Sequence, residues 1–79
     1  MKLKDAIAKR IVDLCTENKL TIHGLSLKTG VANSTLIDMA KARNGSVQIK
    51  FIYDICAGLG ISFTEFFDMP YFNMQTLID

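Results

Sequence analysis

Residues 21–43 read TIHGLSLKTGVANSTLIDMAKAR and predict two short helices joined by a tight turn. Thr21 suits the N-cap of the first helix, which we expect to run to about Thr29. Gly30 follows at the position where a left-handed backbone ends a helix without a steric clash at Cβ. The second helix, predicted from about Asn33 to Ala42, begins only two residues after Val31. The pattern therefore predicts two closely packed helices joined by a short turn.

The second of these helices is expected to have two different faces. Leu36, Met39 and Ala40 follow helical spacing on one face, which we expect to be buried. The other face carries Asn33, Ser34, Ile37, Asp38 and Lys41. Short side chains on this face allow the helix backbone to approach base edges, as in helices that read the major groove of DNA. Three cations are expected where phosphates run beside such a helix: Lys41, Arg43 and Lys50.

Apolar periodicity predicts three further helices and no strand, so the expected fold class is all-α. The first helix covers about residues 3–18, with an inward stripe of Leu3, Ile7, Ile11, Leu14 and Cys15. The fourth ends at Gly60, and its inward stripe is Ile49, Ile52, Ile55, Cys56 and Leu59. The motif Ser62-Phe63-Thr64-Glu65 is a capping box with Ile61 and Phe66 as a hydrophobic staple, and it predicts a short fifth helix through about Asp68. We expect residues 1–68 to form one domain.

Length and charge restrict the classes of function. A chain of 79 residues has no room for a second domain or a deep catalytic cleft, so we do not expect an enzyme. The segment from Lys19 to Lys50 holds five cations and one anion, whereas Phe51 to Asp79 holds four anions and no cation. This asymmetry predicts one basic face, which suits an anionic partner.

The residues with metal or redox chemistry form no recognisable motif. Cys15 and Cys56 fall on apolar helix faces, where we expect reduced core thiols. His23 and the two cysteines do not have a zinc-binding spacing, so we expect neither a metal nor a cofactor. No signal peptide and no apolar run of roughly 20 residues is visible, which favours a cytoplasmic location.

The C-terminal tail, residues 69–79, is unusually apolar for a segment outside the predicted domain. Tyr71, Met74 and Ile78 would share one face of a helix, and Pro70 suits its first turn. Two interpretations stay open. The tail either joins two copies of the chain in a homodimer or folds back over its own core.

The helical pattern resembles that of the phage repressor and Cro-like helix-turn-helix domains, the Xre family. The resemblance covers about Ile7 to Phe67 and rests first on Ser26, Gly30 and Leu36, which match the family's small residue, turn glycine and branched apolar residue. The ending LGIS…EFF, residues 59–67, is similar to the family's junction between its fourth and fifth helices. The resemblance implies a five-helix lambda-repressor-like domain. It also implies sequence-specific binding of double-stranded DNA by a repressor-like transcriptional regulator.

The resemblance also implies which residues meet DNA: Asn33, Ser34, Thr35, Ile37, Asp38, Lys41, Arg43 and Asn44. Ile37 would touch a thymine methyl and Asp38 would accept from cytosine N4, whereas Arg43 and Asn44 would hold the backbone. The implied assembly is a homodimer on double-stranded DNA, with no membrane and no small-molecule substrate.

This sequence departs from the family at several positions. Ile22 stands where many members have a glutamine at the start of the second helix. Cys15 and Ala40 stand where many members have an arginine–glutamate pair, and a packed apolar pair can replace such an ion pair. Ala32 replaces a customary Ser or Thr cap and Ala42 a customary glycine, so the ends of the recognition helix are predicted to within a residue or two.

A second interpretation is a protein-interaction module of the same fold, with little or no affinity for DNA. A positive local charge of four is modest for a nucleic-acid binder. Measuring affinity for duplex DNA at several salt concentrations distinguishes the two interpretations, because only DNA binding weakens steeply as the salt concentration rises.

Overall fold

The computed structural model describes residues 1–43 and 45–79, and these residues are all-α, as the sequence predicts. The five helices are α1 (Leu3–Glu17), α2 (Ile22–Thr29), α3 (Asn33–Ala40), α4 (Ile49–Leu59) and α5 (Phe63–Phe67), and one turn of 3₁₀ helix follows at Pro70–Phe72. The longest of them has 15 residues, and no helix in the described ranges is long and apolar enough to cross a membrane.

The predicted signals at the helix ends are confirmed. The hydroxyl of Thr21 accepts from the Gly24 N–H at 3.0 Å and caps α2. Gly30 ends α2 in the left-handed region, with φ of 79°. Ser62 and Glu65 form the complete capping box of α5, because the Ser62 hydroxyl accepts from the Glu65 N–H and the Glu65 carboxylate accepts from the Ser62 N–H.

α3 ends two residues before the predicted Ala42, within the residue or two that the sequence left open. The helix ends at Ala40, and Ala42 turns into the left-handed region with φ of 53°. There the Ala42 N–H donates to the Met39 backbone carbonyl at 3.1 Å, and the Arg43 N–H donates to the Asp38 backbone carbonyl at 2.9 Å. These two bonds form a Schellman motif, which satisfies the last carbonyls of the helix. The chain therefore reverses at Ala42 although no glycine marks the position.

The core is assembled from all five helices. Its largest fully buried side chains are Ile11, Leu14, Leu25, Leu36, Met39, Ile52, Ile55 and Phe66. Gly58 allows α4 to approach α2 closely, because a Cβ there would lie 2.8 Å from the Lys28 carbonyl oxygen at the end of α2. Two residues predicted to face inward do not, since Leu3 is 41% exposed and Ile49 is 65% exposed. Each is the first residue of its helix, where the side chain points beyond the helix end and not over a neighbour.

The tail does not form the predicted helix. After the 3₁₀ turn, the ring of Phe72 packs against the core beside Phe66 and Phe67. The hydroxyl of Tyr71 donates to the Asp13 carboxylate at 2.8 Å. The aromatic half of the tail therefore folds back over its own domain, whereas two other tail residues, Met74 and Ile78, stay largely exposed. Dimerisation stays a prediction.

A buried arginine that the sequence did not single out connects α1 to α5. Arg10 is 5% exposed, and its Nε donates to the Phe66 carbonyl at 2.6 Å while a terminal nitrogen donates to the Glu65 carbonyl at 3.0 Å. Its other terminal nitrogen lies 3.5 Å from the Glu17 carboxylate without hydrogen-bond geometry. A cation at the carbonyl end of a helix also complements the helix dipole. Arg10 therefore fixes α5, and the tail beyond it, against α1.

Candidate nucleic-acid interface

The two faces of α3 separate as predicted. Leu36 is 0% and Met39 is 1% exposed, so this face is fully in the core. Asn33, Ser34 and Lys41 are exposed on the other side. Within residues 1–43 and 45–79, none of these three side chains has a hydrogen-bond or ion-pair partner in the chain. The polar face of α3 is therefore free to bind an external partner.

The remaining predicted side chains of α3 are only half exposed. Thr35 and Asp38 line an open groove of about 780 Å³ between α3 and the segment that leads into α4. Ile37 is half-buried. Ser46 and Gln48 line the same groove, and no sequence motif marks them. Their position between α3 and α4 is the one signal in the sequence that points to them.

Asp38 and Arg43 form an ion pair at the end of α3. A terminal nitrogen of Arg43 lies 3.5 Å from Asp38 Oδ1, and both side chains are about half exposed. An exposed pair of this length contributes little to stability, so Arg43 can exchange this partner for a phosphate at small cost. Asn44, the last predicted contact residue, lies outside the described residues.

The turn before α3 is held by side chains of α2. The Ser26 hydroxyl donates to the Val31 carbonyl at 2.6 Å. The Thr29 hydroxyl donates to the Leu25 carbonyl at 2.8 Å and accepts from the Val31 N–H. A small hydroxyl residue at position 26 therefore fixes the chain on the far side of Gly30. This geometry gives a physical reason for the small-residue and glycine positions of the sequence pattern.

The N-terminal end of α3 lacks a local cap. Its N-cap residue is Ala32, which has no side-chain acceptor for the N–H groups of the first turn. Those N–H groups and the helix dipole favour an anion at this end. The polar end of α3 is thus complementary to a phosphate oxygen as well as to base edges.

The predicted cations differ in their partners. In the described ranges Lys41 has no ion-pair partner, whereas Lys50 Nζ lies 3.1 Å from the Asp54 carboxylate. The sequence predicted Lys50 beside the phosphates, and the Asp54 carboxylate partly offsets its charge, as the Asp38 carboxylate does for Arg43. Lys41 is therefore the cation next to α3 without such a partner in the described ranges, and Arg43 lies beside it with only an exposed pair.

The two cysteines lie in the core and not on this face. Cys15 and Cys56 are free and buried in the core, and burial raises the pKa of both thiols. Ala40 packs against the same core, as expected for an apolar replacement of an ion pair. His23 is exposed on α2. Across residues 1–43 and 45–79, no three His, Cys, Asp or Glu side chains are grouped so that they could hold a metal ion.

Two apolar residues of α2, Ile22 and Leu27, differ in how far they are buried. Ile22, which replaces the family's usual glutamine, is half-buried and packs against the core. Leu27 is 76% exposed. The position of Ile22 therefore contributes packing and not a polar contact.

Comparison with known proteins adds one relationship. The crystal structure of the prophage Lp1 protein 11 superposes on this chain with a TM-score of 0.78 and 32% sequence identity. The match covers 92% of this chain and 97% of the other. No protein-family model and no curated protein sequence matches the chain.

Proposed function

The chain belongs to the same family as the prophage Lp1 protein 11, and from this premise we propose that it is a repressor-like transcriptional regulator of the Xre type. In this proposal it binds double-stranded DNA in a sequence-specific way, with α3 as the recognition helix in the major groove. Its function is binding and not catalysis, and its place of action is the cytoplasm.

One observation carries the proposal. On the outward face of α3, the side chains of Asn33, Ser34 and Lys41 have no partner in the described chain, while the inward face is buried in the core. Ser26 and Gly30 fix the turn that precedes it. A rigidly held helix with a free polar face is what major-groove recognition requires.

The proposed contacts are of two kinds, with base edges and with the DNA backbone. Asn33 and Ser34 are exposed at the start of α3 and are placed to hydrogen-bond base edges, with Thr35 beside them. Ile37 would contact a thymine methyl, and Asp38 would accept from cytosine N4 if Arg43 moves to a phosphate.

Phosphate contacts would come from both ends of α3. At its start, the uncapped N–H groups after Ala32 suit a phosphate oxygen. At its end, Lys41 and Arg43 supply positive charge, and Asn44 is proposed to join them. These contacts would set the position of the helix without reading sequence.

We propose that two copies bind together. A two-fold pair would place two recognition helices about 34 Å apart, on one side of the duplex. The exposed tail residue Met74 is available for such a contact.

A binding-site selection on random duplex DNA tests the proposal. The purified full chain is expected to enrich one palindromic motif, with half-sites about 10 base pairs apart. A Ser34→Ala variant should enrich a motif relaxed at one base pair, with unchanged folding. A selection that enriches no motif would contradict the proposal and would favour a protein-interaction module of the same fold.

A further inference from the structure

The N-terminal end of α1 is bound to the last residues of the tail. The backbone nitrogen of Met1 donates to the Thr76 carbonyl at 3.0 Å, and the Ile78 N–H donates to the Met1 carbonyl at 3.1 Å. The Leu3 N–H donates to Asp79 Oδ1 at 2.6 Å. Residues 1–3 and 76–79 therefore form one unit at this end of the molecule.

The Asp79 carboxylate takes the place of a local helix cap. Lys2 is the N-cap residue of α1, and its side chain makes no capping hydrogen bond. The acceptor for the first N–H of the helix comes from Asp79, which is 76 residues away in the chain. The structure thus already holds an anionic oxygen at this helix end, where the dipole favours one.

Two lysines and the α3–α4 connection surround this carboxylate. A cavity of about 410 Å³ is lined by Lys2, Lys4, Gly45, Ile78 and Asp79. A neighbouring cavity of about 220 Å³ extends past Lys4 and Asp79 to Ser46 and Val47. The lysines thus lie on the side of the domain where the chain leaves the recognition helix.

Neither lysine is neutralised by a close carboxylate. In residues 1–43 and 45–79, no ion pair within 4.0 Å involves Lys2 or Lys4, whereas Lys9 on the same helix pairs with Asp13 at 3.8 Å. The charged side chains that line this cavity are thus two lysines and one carboxylate, that of Asp79.

We propose that Lys2 and Lys4 are a second contact with the DNA backbone, continuous with Lys41 and Arg43 across the α3–α4 connection. The partner is a phosphate of the same duplex, and charge complementarity is the basis of the contact. Asp79 weakens this contact because it places a carboxylate where the phosphate approaches. This inference rests on the proposed DNA binding and extends its surface.

The test is the salt dependence of binding to a random duplex, measured by fluorescence anisotropy with the full chain. Lys2→Gln and Lys4→Gln should each lower affinity about three- to tenfold and reduce the salt slope by about one. Lys9→Gln removes the same charge from the same helix away from the cavity and is the matched control, which should leave the slope unchanged.

A variant of Asp79 tests the role of its carboxylate, and here we expect DNA affinity to rise and not to fall. Asp79→Asn removes the charge and keeps an oxygen that can accept from the Leu3 N–H, so affinity should rise about two- to fivefold while folding is unchanged. Asp68→Asn, at the exposed end of α5, is the control for net charge.

The outcomes separate the two proposals. If the parent binds the duplex and the Lys2, Lys4 and Lys9 variants behave alike, the second contact is wrong and the function of α3 stands. If the parent does not bind duplex DNA at any salt concentration, the proposed function is wrong and this contact is wrong with it.

Discussion

In α3, the exposed side chains of Asn33, Ser34 and Lys41 make no hydrogen bond or ion pair within the described chain, whereas the tail hydroxyl of Tyr71 is bound to Asp13. Both segments follow a turn and both combine apolar with polar side chains. The difference lies in where their polar groups are satisfied. In the tail, the Tyr71 hydroxyl is bonded within the fold, whereas Asn33, Ser34 and Lys41 have no partner in the described residues, and we propose that they bind DNA. Variants of the two regions should therefore affect different measurements.

The largest expected effect comes from the residue that holds α5 and the tail against α1. Arg10→Ala should lower the free energy of unfolding by about 3 kcal/mol, because it removes the donor to the buried Phe66 carbonyl, one of two donors to the Glu65 carbonyl, and a packed side-chain stem. Urea unfolding measures this loss, provided that parent and variant have the same m-value, the slope of unfolding free energy against urea concentration. Arg10→Lys should recover part of it, since an ammonium cannot make both hydrogen bonds of the guanidinium.

Lys9→Ala is the matched control for this prediction, because Lys9 is a half-exposed neighbour on α1 with a surface ion pair and a cation–π contact to the Tyr71 ring. It should cost less than about 1 kcal/mol. Equal losses in the Arg10 and Lys9 variants would show that the buried guanidinium is not what fixes α5.

The next effect concerns Tyr71 and depends on pH. Burial, together with the hydrogen bond to Asp13, raises the pKa of Tyr71 from 10.0 to about 12. The folded state therefore favours the protonated phenol. Its stabilisation is complete below pH 10 and is lost as the pH rises from 10 through about 12.

Tyr71→Phe should lower stability by about 1 kcal/mol at pH 8, through loss of the hydrogen bond to Asp13. The difference in urea midpoint between parent and variant should shrink at pH 11. A difference that stays constant with pH would contradict the assignment of this bond. DNA affinity at pH 8 should be the same for both proteins.

A smaller effect, of opposite sign, is expected at the end of α3. Ala42 holds a φ of 53°, which a side chain with a Cβ adopts at a cost, so Ala42→Gly should raise stability by about 0.5–1 kcal/mol. Thermal unfolding measures the change. Ala57→Gly in the exposed interior of α4 is the control and should lower stability by about 1 kcal/mol. If both glycine variants are destabilised, Ala42 is not strained.

The helix ends also show what a sequence can predict. α1, α3 and α4 end in the same hydrogen-bond pattern, with Lys19, Ala42 and Gly60 in the left-handed region. Of these three ends, the sequence marked only that of α4, at Gly60, because glycine carries the signal. At Ala42 the tertiary structure imposes the turn against local preference, and the predicted helix ran two residues too far.

Long-range polar contacts account for the remaining differences. Periodicity predicted the fold class, the buried face of α3 and the exposed positions of Asn33, Ser34 and Lys41. It could not predict that Arg10 binds carbonyls of α5 or that Asp79 caps α1. These partners are separated by more than 50 residues, and hydrogen bonds over such distances leave no periodic pattern.

The central claim is that the polar face of α3 and the cations at its end bind DNA without supporting the fold. Its most direct test is the salt dependence of duplex binding by the parent and by a Lys41→Ala, Arg43→Ala double variant, with urea unfolding of both. We predict a steep linear decrease of log affinity with log salt concentration for the parent, and a slope shallower by about one for each phosphate contact removed, with unchanged stability. A double variant that binds duplex DNA with the affinity and salt slope of the parent would contradict the account.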